Sequence, residues 1–381
     1  MQAAAIVVSL AITVVAVALA ARAVSYMVSV IRVGRPAPDR FGDAGRRTAT
    51  MLKETVGHTK MLKWTWIGAA HWFVFAGFIL LFATLVTAYG QLFDVGFGLP
   101  VIGHWAPFGW MVESLAWLML VSIAGLIVVR LRAHPSRMGR TSRFSGSTMW
   151  QGYYVEWTIV GVGLCIVALR SMEYALGQGG RLDFPFTFFI GEALSGMSEA
   201  ALETGIYAVA ALKIVISMAW LIVISLNVTM GVAWHRFLVF PNVYFKREAD
   251  GGPALGAAKP LTVDGEPVHF EKLDDLDEDA SLGAGRIEDF SWKGLLDFNT
   301  CTECGRCQSQ CPAWNTAKPL SPKLLVLGLR DHAFAKAPYL LAGGGKDVAG
   351  DERATPEQLA DVPAEALAEA EVYSQIRRDL L

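Results

Sequence analysis

Long apolar runs separated by short polar segments dominate roughly the first two thirds of the chain. The apolar runs cover residues 4–31 and about 64–88, 108–131, 152–172 and 205–235. Each is long enough for a helix to cross the roughly 30 Å of hydrocarbon in a bilayer. A signal peptide is the alternative for the first run, but residues 1–3 lack the basic side chains that should precede one. The pattern therefore predicts five transmembrane helices, the first of them uncleaved.

Lys and Arg are concentrated in alternate loops between these helices. Eight lie within residues 32–63, none within 89–107, and four follow the third helix within 132–143. Three more follow the fifth helix. Because cytoplasmic loops carry the excess of Lys and Arg, the N-terminus is predicted outside and the C-terminal third inside. This orientation makes the chain a multi-pass protein of the cytoplasmic membrane.

The composition agrees with a membrane protein. Hydrophobic residues make up 53% of the 381 residues and charged residues only 18%, which is more apolar than a soluble domain of ordinary composition. The net charge of −2 says little by itself, because the charges are unevenly distributed along the chain. We expect lipid as the main surroundings of the first 245 residues and no nucleic-acid partner.

The sequence changes character after the fifth apolar run. Residues 246–285 contain glycine, proline and the acidic string DDLDED, which are typical of a solvated linker. Apolar spacing returns at 287–298, and Ser321 followed by Pro322 is typical of a helix start. Residues 356–381 are predicted to be helical. The predicted parts are a five-helix membrane domain at 1–245, an acidic linker at 246–285 and a small helical domain at 286–381.

Four of the five cysteines lie in the stretch CTECGRCQSQCP at 301–312. Its spacing, C-x2-C-x2-C-x3-C-P, is that of the bacterial ferredoxin run for a [4Fe–4S] cluster. Since the fourth cysteine of such a run ligates the other cluster of a pair, Cys301, Cys304 and Cys307 are predicted to hold one cluster and Cys311 to reach for a second. A zinc site or a disulfide pair is the alternative, but zinc knuckles usually pair two distant CxxC units. We therefore predict a ferredoxin-type domain in a reducing compartment.

Two histidines are placed to bind haem iron. His71 lies inside the second apolar run, and His235 lies at the cytoplasmic end of the fifth. Imidazole is a common axial ligand, and two facing helices can hold a b-type haem between them. Arg236 is a candidate partner for a haem propionate. Gly68, with the two alanines that follow it, would let a flat macrocycle approach the backbone.

His58 precedes His71 by thirteen residues. On a continuous helix this spacing separates the two by about 20 Å and rotates them by roughly 140°. One helix face then cannot present both rings, so His58 is a reserve haem ligand, an interfacial residue, or a quinone or propionate contact. His332 is expected on the surface.

Ionisable side chains inside membrane helices are costly and therefore suggest function. Glu113, Glu156 and Lys213 lie inside the third, fourth and fifth apolar runs. Each could contact a quinone carbonyl or relay protons, and Lys213 or Glu113 could contact a haem propionate. Glu113 and Lys213, both towards the outer side, could instead pair with each other. The sequence leaves these alternatives open.

Two stretches of the membrane part, GHTKMLKWTWIGAAHWFVFAGF and WHRFLVFPNVYFKR, resemble the cytochrome b gamma subunit of respiratory nitrate reductase. The continuation FNTCTECGRCQSQCPAWNTAKPLSPK resembles membrane iron–sulfur proteins related to heterodisulfide reductase. Over about residues 5–330 the chain is most similar to the actinobacterial type of electron-transfer-flavoprotein:menaquinone oxidoreductase. That family takes electrons from flavoprotein reduced by acyl-CoA dehydrogenases in fatty-acid oxidation and passes them to menaquinone.

The chain departs from these patterns in two ways. Gamma-type subunits carry two histidines on each ligand helix, whereas Leu81 and Ser217 occupy the outer positions here, with Met218 as a weak substitute. The resemblance therefore implies one haem, on His71 and His235, and leaves a second haem open. The family also continues into a second cysteine run and CCG domains, which do not follow here. We expect either a longer protein or a CCG-domain chain that completes the second cluster.

The sequence thus predicts electron transfer from a soluble donor, reduced electron-transfer flavoprotein, through a [4Fe–4S] cluster and haem b to menaquinone. The alternative is a non-catalytic cytochrome b and iron–sulfur anchor subunit that docks a separate reductase, such as a heterodisulfide-reductase-like subunit. A redox-sensing membrane protein is a third hypothesis.

Overall fold

The structure is a computed structural model that describes residues 1–252, 260–263, 266–269, 271, 273, 276, 283–345 and 351–370. The acidic string DDLDED lies almost entirely outside these residues. So does the end of the predicted C-terminal helix, at 371–381.

The chain folds into two compact units. Unit 1 contains Met1–Ala23, His58–Arg137 and Met149–Asn227, and unit 2 contains Val24–Gly57, Met138–Thr148 and Val228–Leu381. Each unit is therefore assembled from segments that are distant in sequence. The predicted domain boundaries at 1–245, 246–285 and 286–381 stay a prediction.

The described residues are mostly helical. The helices in chain order are α1 (Gln2–Arg32), α2 (Ala44–Thr55), α3 (Thr65–Leu80), α4 (Phe82–Gln91), α5 (Ala106–Arg132), α6 (Pro135–Met138), α7 (Met149–Ala175), α8 (Phe188–Leu194), α9 (Glu199–Leu226), α10 (Gly231–Tyr244), α11 (Trp292–Asn299), α12 (Arg306–Gln310), α13 (Pro312–Asn315), α14 (Pro322–Leu341), α15 (Pro356–Leu359) and α16 (Ala364–Ala370). Short 3₁₀ turns lie at Pro38–Arg40, Gly139–Thr141 and Ile287–Asp289. Strands β1 (Thr262–Val263) and β2 (Glu266–Pro267) form one antiparallel hairpin.

Five helical stretches of the described chain are long and apolar enough to cross a membrane. They are Gln2–Arg32, Thr65–Gln91, Ala106–Thr141, Met149–Ala175 and Glu199–Leu226. Each overlaps one of the predicted apolar runs. The prediction of an all-α membrane protein with five spanning helices is confirmed.

The second spanning stretch is interrupted at Leu81, between α3 and α4. The Thr84 hydroxyl donates a hydrogen bond of 2.6 Å to the Leu81 carbonyl just after the interruption. Lys213 of α9 donates from Nζ to the Thr84 carbonyl at 2.8 Å and to its Oγ1 at 2.7 Å. The buried Lys213 therefore stabilises the broken turn by bonding to a residue of the next helix.

Close helix packing forms the core of unit 1. Helix α7 packs against α5, α8 and α9, while α3 packs against α5 and α4 against α9. The approach of α3 to α5 needs Gly77, where a Cβ would lie 2.8 Å from the Met119 sulfur. Ile166 belongs to the cluster around Met119, and Ile206 and Ile214 belong to a second cluster. Such contacts are the main force between helices surrounded by lipid.

Glu113 does not pair with Lys213, so that alternative from the sequence is wrong. Glu113 accepts hydrogen bonds from Arg170 Nε at 3.2 Å, from the Phe186 backbone N–H at 2.8 Å and from Thr187 Oγ1 at 2.8 Å. Sequence spacing could not reveal this partner, because Arg170 lies at the end of a different helix. The bonds join α5 to α7 and to the loop that follows α7.

The fifth predicted helix is two helices. Helix α9 ends at Leu226, and the Asn227 side chain caps it by donating to the Val223 carbonyl at 2.7 Å. Helix α10 begins at Gly231, so His235 lies in α10 and not at the end of a continuous spanning helix. Asn227 favours this interruption, because an Asn side chain can bond to nearby backbone.

Parts of the basic segments that follow the first and third predicted membrane helices belong to unit 2 together with the C-terminal part. Arg47 is 3% exposed and donates to the carbonyls of Tyr244 at 3.2 Å and Lys246 at 2.5 Å. Arg35 forms an ion pair of 2.5 Å with Asp289. Residues from the first basic loop therefore contact both the end of α10 and the region before α11.

Helix α14 begins where the sequence predicted. Ser321 caps it by accepting from the Leu324 N–H at 3.2 Å, and Pro322 is its first residue. The expectation that His332 lies on the surface is wrong, because His332 is 3% exposed and its Nδ1 lies 2.6 Å from a Glu369 oxygen. Helix α16, which carries Glu369, packs against α14 and covers it.

Candidate metal-binding sites

The predicted cluster ligands lie on one tight loop of unit 2. The loop runs from the end of α11 through α12 to the start of α13, and Glu303 and Gly305 both have positive φ, at 57° and 70°. Cys304 lies between these two left-handed residues. All four cysteines of the loop are free thiols, with Cys301 and Cys311 partly buried and Cys304 and Cys307 exposed. The disulfide alternative is therefore not formed.

Gly305 allows the cysteine loop to approach the segment Met138–Thr148. A Cβ at Gly305 would lie 1.8 Å from the Arg143 carbonyl oxygen, which is backbone and cannot turn aside. Gly231 of α10 has the same role, because a Cβ there would lie 1.9 Å from the Cys301 carbonyl oxygen. The loop thus fits between two backbone segments that leave no room for a side chain.

Glu303 ties the loop to the segment Met138–Thr148. Its carboxylate accepts from the Thr148 backbone N–H at 2.7 Å and from Arg330 Nη2 at 3.3 Å, while its carbonyl accepts from Ser147 Oγ at 2.9 Å. Glu303 and Arg330 are both buried. Arg330 also pairs with Asp331 at 3.0 Å, so removing Arg330 would take away the ionic partner of the buried Glu303, which is expensive.

Lys323 makes a second set of bonds from α14 to the same segment. Its Nζ donates to the carbonyls of Arg143 at 3.2 Å and Ser145 at 2.6 Å, and to Ser147 Oγ at 2.7 Å. Burial lowers the pKa of Lys323 to about 8, and the negative charge of Glu303 opposes this shift. Lys323 therefore places a cation beside a loop whose four thiolates would carry negative charge when they hold a metal.

Gln308, inside the motif, is fully buried and also contacts the segment Met138–Thr148. Its Nε2 donates to the carbonyls of Ser142 and Ser145, both at 3.4 Å, and its Oε1 accepts from Ser321 Oγ at 2.6 Å. Sequence reasoning missed Glu303 and Gln308, because a motif defined by cysteine spacing treats the intervening residues as spacers, and other spacer positions are polar too. Lys323 lies outside the motif, and nothing in the sequence pairs it with the segment Met138–Thr148.

The donor set suits a cluster better than a single metal ion. Burial raises the pKa of the Cys301 thiol, and the neighbouring Cys304 adds to this. Cysteine thiolates in this ferredoxin spacing are the donors of [4Fe–4S] clusters, whereas zinc knuckles usually pair two distant CxxC units. Among the residues that the structure describes, no three His, Cys, Asp or Glu side chains converge on one ion position. The spacing of the free thiols therefore fits the cluster.

His58 and His71 lie side by side in unit 1. His58 Nε2 is 2.9 Å from His71 Nδ1, and the two ring centroids are 5.1 Å apart. The premise of a continuous helix between them is wrong, because α2 ends at Thr55 and α3 begins at Thr65. His58 itself has a positive φ of 49° and is 5% exposed, so the chain reverses there and returns its ring to α3.

Gly68 does not leave space for a macrocycle. A Cβ at Gly68 would lie 2.4 Å from the Met61 carbonyl oxygen, so the missing side chain admits the returning backbone between His58 and α3. The small residue that the sequence assigned to haem approach is therefore needed for the chain reversal that pairs the histidines.

The remaining residues that the sequence analysis considered for haem binding lie in different units. His235 and Arg236 lie on α10 of unit 2, where both are partly buried. Burial lowers the pKa of Arg236 to about 10, which still leaves it a cation at neutral pH. In unit 1, Ser217 Oγ donates to the Lys213 carbonyl at 2.8 Å, and Met218 is buried in the apolar core.

Comparison with known proteins finds distant relatives along most of the chain. The EtfAB:quinone oxidoreductase of Syntrophomonas wolfei subsp. wolfei is 27% identical over 320 residues, which are 81% of this chain and 41% of the relative. A Bacillus subtilis protein named "Probable iron-sulfur-binding oxidoreductase FadF" is 27% identical over 312 residues, 78% of this chain and 40% of its own length. A Chromohalobacter salexigens protein named "Probable membrane-anchored ferredoxin" is 25% identical over 335 residues, 85% of this chain and 42% of its own length.

The chain therefore spans about two fifths of the length of these curated relatives. No family model matches it, and no solved structure matches it.

Gly305→Ala tests whether the shape of the loop determines its capacity for metal. A left-handed conformation costs a non-glycine residue roughly 1–2 kcal/mol, and the added Cβ also meets the Arg143 carbonyl. We expect iron and acid-labile sulfide per protein, measured after anaerobic purification, to fall roughly tenfold. Gly294→Ala is the matched control, because its Cβ would meet nothing closer than 3.5 Å. Full iron and sulfide in Gly305→Ala would contradict this role.

Proposed function

We propose a function on the premise that this chain belongs to the family of membrane-bound iron–sulfur proteins that includes the EtfAB:quinone oxidoreductase. The chain carries electrons from a soluble donor to menaquinone in the bilayer, using a [4Fe–4S] cluster and a b-type haem. The donor is reduced electron-transfer flavoprotein. The observation that carries this proposal is a cysteine loop of ferredoxin spacing, folded as free thiols and bonded to a segment that follows a spanning helix.

The first cluster is held by Cys301, Cys304 and Cys307. Cys311 reaches for a second cluster, whose other ligands come from another segment or from a CCG-domain chain. Exposure of Cys304 and Cys307 supports electron entry at this face, because a soluble donor must come close to the metal. The nearby cations of Lys323 and Arg330 support binding of a negatively charged thiolate cluster.

Haem b is held by His71 and His235, with Arg236 available to a propionate. A haem iron supplies one-electron redox chemistry at this position when bound. The hydrogen bond of 2.9 Å between His58 and His71 Nδ1 supports the assignment. Metal-ligating histidines almost always bond through their other ring nitrogen to a partner that fixes the tautomer and the ring orientation. His58 would then be the partner of a ligand rather than a ligand, and His71 Nε2 would be the ring nitrogen left to bind iron.

The N-terminus lies outside and the cysteine loop lies on the cytoplasmic side of the cell membrane. The distribution of Lys and Arg supports this orientation. The bonds of Arg47 to Tyr244 and Lys246 also support it, because loops joined within one folded unit must lie on the same side of the bilayer.

The second candidate is a non-catalytic anchor subunit that docks a separate reductase. The exposed Cys304 and Cys307 favour it equally, since a docked subunit could receive electrons at the same face. The two candidates differ in whether this chain alone accepts electrons from the flavoprotein.

Reduced-minus-oxidised spectra of the purified, cofactor-loaded chain test the proposal. We expect the haem and cluster bands to be reduced by flavoprotein under anaerobic conditions and reoxidised by a menaquinone analogue. Reduction only after a second subunit is added would select the anchor role. Spectra without any haem band would refute the haem assignment, and a loaded chain that the analogue does not reoxidise would refute menaquinone as acceptor.

His58→Ala tests the positioning role. Loss of a partner bonded to a metal-ligating histidine typically weakens metal binding about 10–100-fold, so we expect weaker haem retention of that order. The EPR signal of the oxidised haem should also shift, because the His71 ring is no longer held in one orientation. His58→Gln keeps a side-chain hydrogen-bonding group and should restore part of the retention, and His134→Ala is the control. If His58→Ala lost all haem and His58→Gln restored none, His58 would be a ligand after all.

A further inference from the structure

Unit 1 contains a cavity of about 260 Å³ that the proposed cofactors do not use. It lies at the C-terminal ends of α4 and α7 and the N-terminal end of α5, beside the loops that connect them. Aromatic side chains, including Trp105, Phe108 and Phe184, form part of its wall. Its volume is just below the roughly 300–1,000 Å³ of typical ligand pockets, which suits a ring system but not a whole long-tailed molecule.

Lys213 enters this cavity from α9 and is 1% exposed. Its two hydrogen bonds go to Thr84 Oγ1 and to the Thr84 carbonyl, and both acceptors are neutral. Within the part of the chain that the structure describes, Lys213 forms no ion pair. An ammonium group has three N–H donors, so one donor remains for a molecule in the cavity.

Two of the other charged groups of the cavity, Glu173 and Arg170, are paired with each other. Glu173 accepts from Arg170 Nη1 at 2.7 Å and from Gln91 Nε2 at 2.7 Å. Glu113 is also bonded to Arg170, so two carboxylates share one guanidinium. Asp183, which also lines the cavity, accepts from the Gly180 N–H at 2.9 Å. Lys213 is therefore the buried cation of this cavity without an ion pair among the described residues, in a setting where buried charges are expensive.

These contacts restrict the chemistry of a ligand. A free anion is disfavoured, because the Glu173 carboxylate lines the same cavity as Lys213. A neutral molecule with a carbonyl acceptor meets the remaining N–H without this repulsion. A flat aromatic ring would also pack against the aromatic wall. A quinone head group is neutral, carries carbonyl acceptors and has a flat ring.

We propose that this cavity binds the ring of a quinone, with Lys213 donating a hydrogen bond to one of its carbonyl oxygens. The proposal rests on the proposed function, which makes menaquinone the electron acceptor, and adds the place where the ring binds. Glu113 and Arg170 then shape the cavity without contacting the quinone. In the orientation proposed above, this end of the helices faces the outside of the cell.

Titration of the full chain in lipid nanodiscs with menaquinone-1, a short-tailed analogue, tests the site. Tryptophan fluorescence reports binding, since Trp105 lines the cavity. Lys213→Met keeps the length of the side chain and removes its donors. A hydrogen bond to a charged group is worth about 1.5–3 kcal/mol, so we expect binding roughly 10–100-fold weaker. Lys63→Met, an exposed lysine of unit 1, should bind like the unaltered chain.

A photoreactive menaquinone analogue on the unaltered chain keeps the test independent of how Lys213→Met folds. We expect labelled peptides from residues 97–108 and around Phe184. Labelling confined to other helices, or equal binding by Lys213→Met and the unaltered chain, would overturn the site and leave the proposed function intact. No binding of menaquinone-1 by the unaltered chain would overturn both.

Discussion

Buried charged side chains outside the cysteines hold the cysteine loop in its shape. Glu303 and Lys323 both bond to the segment Met138–Thr148, one from inside the loop and one from α14. Because an unpaired buried charge costs several kcal/mol, these bonds favour one position of the loop against the segment. The position of the thiols is therefore determined by the segment that follows the third spanning helix as well as by the motif.

Unit 1 also buries charged side chains, but not all of them have a charged partner. Arg170 neutralises Glu113 and Glu173 together, and these bonds join α5, α7 and the following loop. Lys213 is buried as deeply, yet it bonds only to the neutral oxygens of Thr84. Charged side chains that are all costly to bury in lipid therefore have two roles here. Glu113, Glu173 and Arg170 join helices, whereas Lys213 keeps one N–H donor for a ligand, and the sequence alone does not distinguish the two roles.

The spanning helices and the cysteine loop could be predicted from sequence, because both signals are local. An apolar run of sufficient length has few alternatives to a membrane helix, and cysteine spacing specifies a turn within a dozen residues. The interruption at Leu81, the separation of α9 from α10 and the pairing of His58 with His71 depend on contacts between distant residues. Gly68 is an example. The sequence shows that this position has no side chain, but only the structure shows that the Met61 backbone occupies the space.

In the proposed function, electrons enter at the cysteine loop before they reach haem. Anaerobic rapid mixing of reduced flavoprotein with the oxidised, cofactor-loaded chain tests it most directly, with cluster and haem absorbance followed in time. The account predicts that the cluster bands change first, that haem reduction follows, and that Cys304→Ser abolishes haem reduction while the haem itself is retained. Haem reduction at an unchanged rate in Cys304→Ser would contradict the account.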